Sequence, residues 1–166
     1  MASEIDSLRE KLLRELGEGQ SPSALLGSSK DFKYLIDLPD DEFQHAGLDV
    51  AVALSLQGLW ADARNCARRY RSLVASQDST ANMSALIFEM RCLYEMESFT
   101  EVLALGQAHL VEKHHLIEAN YLMAISFEAL EMFPQARSRY EAIMRQDSNF
   151  LDASLRLSKL QGLSGR

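Results

Sequence analysis

A chain of 166 residues and 18.7 kDa has room for one domain with a continuous core and is short for two ordinary ones. With 47% hydrophobic and 25% charged residues it has the composition of a folded globular protein, which argues against a disordered chain. A formal charge of −7 and a pI near 5.1 argue against a general nucleic-acid binder, which needs a cationic footprint, and against docking on an anionic membrane surface.

Cys66 and Cys92 are too few and too far apart to indicate a disulfide framework, so a reducing compartment is expected. The run Met1-Ala2-Ser3-Glu4-Ile5-Asp6 carries acids where a secretory signal would carry a basic stretch and an apolar run. No stretch has the length of apolar sequence that crossing a bilayer requires, so no membrane insertion is expected. The expected location is the cytoplasm.

In chain order, apolar residues recur at three and four, and no alternating runs bounded by turns interrupt them, so the expected class is all-α. Ile5, Leu8, Leu12 and Leu16 form one stripe, which predicts an amphipathic helix over residues 3–16 ended by Gly17 and Gly19. Residues 20–29, rich in Ser, Gly and Pro, read as a linker, followed by an apolar patch at Phe32, Tyr34, Leu35 and Ile36. The expected organisation is therefore a helix and linker over 1–39 and a helical domain over 40–166.

Pro39 with Asp40, Asp41 and Glu42 predicts a helix start, because proline suits the first turn and acids there complement the helix dipole. That helix is expected to reach Gln57, with Gly58 as its break and a second helix over Ala61–Ala75 completing a hairpin. A loop is expected over Ser76–Thr80. The second hairpin is expected over Asn82–Met96 and Phe99–Lys113, with Ser98-Phe99-Thr100-Glu101 as a capping box. A third covers Ile117–Glu131 and Pro134–Gln146, and a last helix covers Asn149–Gln161. The expected total is about eight helices.

The hairpin turns place Trp60, Phe99 and Phe133 in equivalent positions, 39 and 34 residues apart. In the third unit Ala124-x2-Phe127 and Ala136-x3-Tyr140 pair a small residue with a large one on each helix. The small residues let the helices approach and the large ones fill the space beside the contact. Ala51-x2-Leu54, Gly58 and Ala63-x3-Ala67 repeat this spacing in the first unit, and Met90-x2-Leu93 and Val102-x3-Gly106 in a degenerate middle unit. Over about residues 44–150 the pattern resembles the tetratricopeptide repeat family. It departs from that family where Gly47, Leu86 and Asn120 replace a tryptophan and Ser148 a closing proline. The five extra residues between the first two units are expected in the loop at Gln77–Ala81. The other reading of the spacing is a plain helical bundle.

The resemblance implies antiparallel helical hairpins stacked as a short right-handed superhelix, with a C-terminal capping helix. Its first helices would line a concave groove that holds a peptide or helix of a partner protein. Carried onto this sequence, the groove residues are Leu48, Val52 and Ser55, then Ile87, Arg91 and Tyr94, then Tyr121, Ile125 and Glu128. Each set follows helical spacing, and the strip is mostly apolar. The competing occupants are the chain's own N-terminal helix or 32–36 patch, or a second copy in a homodimer.

Arg64, Arg68, Arg69 and Arg71 read either as a solvated outer face or as a secondary basic patch for an acidic partner. Glu112 and His115, one turn apart beside His109 and His114, read either as a helix end completed by histidines or as part of a metal site. His45 reads as a surface residue. No phosphate loop, nucleophile elbow or metal loop is visible, so no catalytic residue, metal or cofactor is assigned. The leading expectation is a non-catalytic adaptor or scaffold. The alternative is a chaperone like the tetratricopeptide chaperones of secretion systems, with a metal-dependent enzyme third.

Overall fold

Pro39 determines where the first described helix begins: it has no amide hydrogen to leave unpaired, and its carbonyl accepts from the amides of Glu42 and Phe43 at 3.1 and 2.8 Å. The computed structural model of the chain describes residues 36–110 and 116–163. Among these it contains seven helices and no strand. They are α1 (Asp40–Leu56), α2 (Trp60–Val74), α3 (Ser79–Glu95), α4 (Phe99–Leu110), α5 (Ile117–Ala129), α6 (Phe133–Gln146) and α7 (Ala153–Leu163). The helix expected over 3–16, most of the 32–36 patch and the Glu112–His115 cluster lie outside the described residues. The all-α class is as expected, and consecutive helices pack against each other.

Contacts group the chain into two compact units that divide inside α3, Met1–Glu89 and Met90–Arg166. In the first, α1 and α2 form an antiparallel hairpin around Phe43, Gly47, Val50, Ala51, Leu54, Ala63, Cys66, Ala67 and Val74, all buried. A Cβ on Gly47 would lie 2.4 Å from the Phe43 ring and 3.0 Å from Tyr70, so hydrogen is the only side chain that fits there. In the second unit α5 packs against α4 on one side and α6 on the other, and α7 packs on α6. This makes α5 the central helix, buried continuously from Leu122 to Phe127. Gly106 of α4 lets it approach the Met123 side chain of α5, whose sulfur would stand 2.6 Å from an added Cβ.

The small-and-large pairs are inward: Ala51, Leu54, Ala63 and Ala67; Met90, Leu93, Val102 and Gly106; Ala124, Phe127, Ala136 and Tyr140 are buried, while Gly58, in its turn, is exposed. The three hairpin turns share one geometry as well. Leu59, Ser98 and Met132 donate their amides to the carbonyls five residues back, Leu54, Leu93 and Phe127. Gly58, Glu97 and Glu131 donate to the carbonyls three back and hold φ of 76°, 57° and 58°. This pair of bonds around one left-handed residue is the Schellman motif.

Two boundaries differ from expectation. Asp78 accepts from the amides of Thr80 and Ala81 at 2.8 and 3.0 Å and starts α3 at Ser79. The extra residues therefore lengthen α3 to 17 residues, against 13 in α5, and do not form a loop. Asp147 accepts from the Asn149 amide at 2.8 Å, and Leu151 takes φ of 45°, so this turn delays α7 to Ala153.

Candidate interaction surfaces

The groove residues of the first unit start from α1, whose apolar residues occupy two faces. One face is the core. On the other, Leu48 is half-buried and Val52 is 39% exposed, four residues apart. Leu56, 54% exposed, extends the same line by one more turn. Leu56 was legible as the next member of the series but sits beside the Gln57–Gly58 break, where spacing alone reads it as a helix end. Ser55 turns inward, and its hydroxyl donates to the Val52 carbonyl at 2.7 Å. Ile87, on α3, is half-buried.

In the second unit Arg91 is exposed, and Tyr94 is half-buried with its ring tilted against Phe99, centroids 5.5 Å apart. Ile125 lies in the core at 7% exposed. Tyr121 and Glu128 are engaged by the segment that leads into α7. The Tyr121 hydroxyl donates to Asp152, and its ring stacks edge-on to Phe150 and Tyr140, at 5.7 and 6.3 Å. Glu128 accepts from the Tyr140 hydroxyl at 2.8 Å and from Arg156 at 3.1 Å, and Arg156 also donates to Asp152 at 2.8 Å. Asp152 and Arg156, which the sequence reading did not single out, announce themselves only as an i, i+4 ion pair.

The electrostatics of this cluster follow from its burial. Burial and the hydrogen bond to Asp152 push the Tyr121 phenol up to about 12. Burial, followed by the bond to Glu128, raises that of Tyr140. Asp152 is held below its ordinary value: burial works against its charge, but the bonds from Tyr121 and Arg156 outweigh it. Burial alone lowers Arg139, whose guanidinium donates to Asn120 at 2.7 Å. The shifts of Tyr121, Tyr140, Asp152 and Arg156 favour protonated phenols and a charged Asp152–Arg156 pair, so these four side chains clasp α5 to the segment that leads into α7.

The four arginines of α2 divide. Arg68 is exposed and Arg64 half-buried. Arg69 bends back over the Phe43 ring, its guanidinium carbon 4.1 Å from the centroid, and donates to the carbonyls of Ile36 and Leu38 at 2.8 and 2.6 Å and to Asp40. Arg71 meets the buried Glu89 at 3.2 Å. Arg69 therefore serves the hairpin's own packing, and Arg71 ties the hairpin to Glu89 of α3.

Both cysteines are buried, and burial, followed by the nearby Asp62, pushes the Cys66 thiol up to about 11, which disfavours its thiolate near neutrality. Among the described residues no group of three or more His, Cys, Asp or Glu side chains could hold a metal ion, and no helix is long and apolar enough to cross a membrane. His45 is exposed and within 3.4 Å of Gln44. No protein-family model matches the chain, and no curated protein is significantly similar to it.

Proposed function

We propose that this chain is a divergent tetratricopeptide-like adaptor, a non-catalytic module that binds an amphipathic helix or peptide of a partner protein. The observation that carries the reading is the apolar line Leu48, Val52 and Leu56 on the side of α1 away from its buried face. A helix that already has a complete core face gains nothing by exposing a second apolar face to water, unless a partner covers it. A partner helix laid along α1 would present apolar residues at i, i+3, i+4 and i+7, the usual form of helix-in-groove recognition. The burial of the paired small-and-large positions on the helices supports the family reading.

Tyr121, Ile125 and Glu128, held by the clasp and the core, are assigned to the module's own stability. The test is selection from a displayed library of amphipathic peptides, followed by mapping of chemical-shift changes. Changes centred on Val52 and Leu56 support the proposal; a chain that selects no peptide, or changes that avoid α1, contradict it.

A further inference from the structure

The exposed line on α1 has a matching partner in the chain itself. At 1.5 Å per residue, Leu48 to Leu56 spans roughly 12 Å. Ile5, Leu8, Leu12 and Leu16, all outside the described residues, recur at three and four and as a helix would span roughly 17 Å. Residues 3–16 carry Glu4, Asp6, Glu10 and Glu15 as well as Arg9, Lys11 and Arg14, so apolar contact and not charge would carry the pairing with α1.

The point of attachment fits too. The segment rejoins the described chain at Ile36, whose carbonyl, with that of Leu38, is held by Arg69. The tether, residues 17–35, is therefore anchored beside the first turn of α1. A coil of that length would reach roughly 24 Å, and Val52 and Leu56 lie roughly 18 and 24 Å along α1 from Asp40. A tether matched to its span gives an effective concentration of about a millimolar, so weak pairing suffices.

We propose that residues 3–16 pack as a helix on the Leu48, Val52 and Leu56 line of the same molecule, where they act as a built-in competitor for the partner. The competitor role rests on the adaptor reading; the packing does not.

The test uses the full chain carrying K11C with a nitroxide label, which Cys66 and Cys92, both buried, do not compete for. Methyl signals of Val52 and Leu56 are expected to lose most of their intensity with the label oxidised, and L8E/L12E in the same chain is expected to restore it. Equal intensities in the oxidised and reduced samples overturn the proposal. So does broadening seen only when labelled chains are mixed with isotope-labelled ones, since the segment then comes from a second copy. If the line is covered nine-tenths of the time, L8E/L12E raises the apparent affinity for a library-selected peptide about tenfold. Broadening with no peptide that competes leaves the packing standing and removes the adaptor reading. Peptide binding at Val52 without broadening does the reverse.

Discussion

Arg69 lies flat over Phe43, 4.1 Å from the ring centroid, and uses the same guanidinium to hold the carbonyls of Ile36 and Leu38. One side chain of the second helix thus fixes both the entry of the chain and the first turn of α1. Its ion pair with Asp40 adds little, because that carboxylate is 67% exposed. R69A is expected to cost about 2 kcal/mol, mostly through the two carbonyls and the stacking. R69K is expected to recover little of it, since an ammonium cannot bond in a fork and stack at once. Urea midpoints of the two variants check this.

Arg71 and Glu89 form a buried pair, with Glu89 side-chain exposure of 3%. Removing one member leaves a charge in the interior, so R71A is expected to destabilise by about 3–5 kcal/mol. The double change R71M/E89L is expected to lie close to wild type. A double-mutant cycle by chemical denaturation gives the coupling directly.

At the hairpin turns, Glu97 and Glu131 occupy the left-handed conformation that Gly58 occupies in the first turn. Side chains with a Cβ pay for that conformation, and glycine does not. E97G and E131G are each expected to stabilise by about 0.5–1 kcal/mol and G58A to destabilise by a similar amount or more. Thermal melts of the three variants measure the signs.

The Tyr121 phenol rises from an ordinary 10.0 to about 12, through burial and then its bond to Asp152. A raised acid is more protonated folded than unfolded, so its contribution is complete below about pH 10 and is lost as pH climbs towards 12. Tyr140 shifts the same way. Stability measured from pH 8 to 12 is expected to fall across that window, and Y121F is expected to flatten the fall.

Much of the fold was legible because its boundaries are local chemistry. Pro39, Gly58 and the residues around Phe99 and Phe133 mark helix ends within a few residues, and the small-and-large spacing identifies the buried positions. Asp78 and Asp147 were harder, since a capping carboxylate and a loop residue look alike until the amides they accept from are known. The surfaces were legible only in part. Arg69 and Arg71 read as an outer face because their partners, Ile36, Leu38 and Glu89, belong to other elements. Tyr121 and Glu128 read as groove residues because Asp152 and Arg156 lie at least 28 residues further on. Periodicity gives the face of a helix and is silent about which element packs on it.

The measurement closest to the central claim is the affinity of a library-selected amphipathic peptide for the wild-type chain and for V52E/L56E. Both positions are solvent-facing, so the fold is expected to persist, as circular dichroism can verify. The adaptor account predicts that the double change weakens binding at least tenfold, about 1.4 kcal/mol, while R68E leaves it unchanged. Equal affinity of the wild-type and V52E/L56E chains would contradict it.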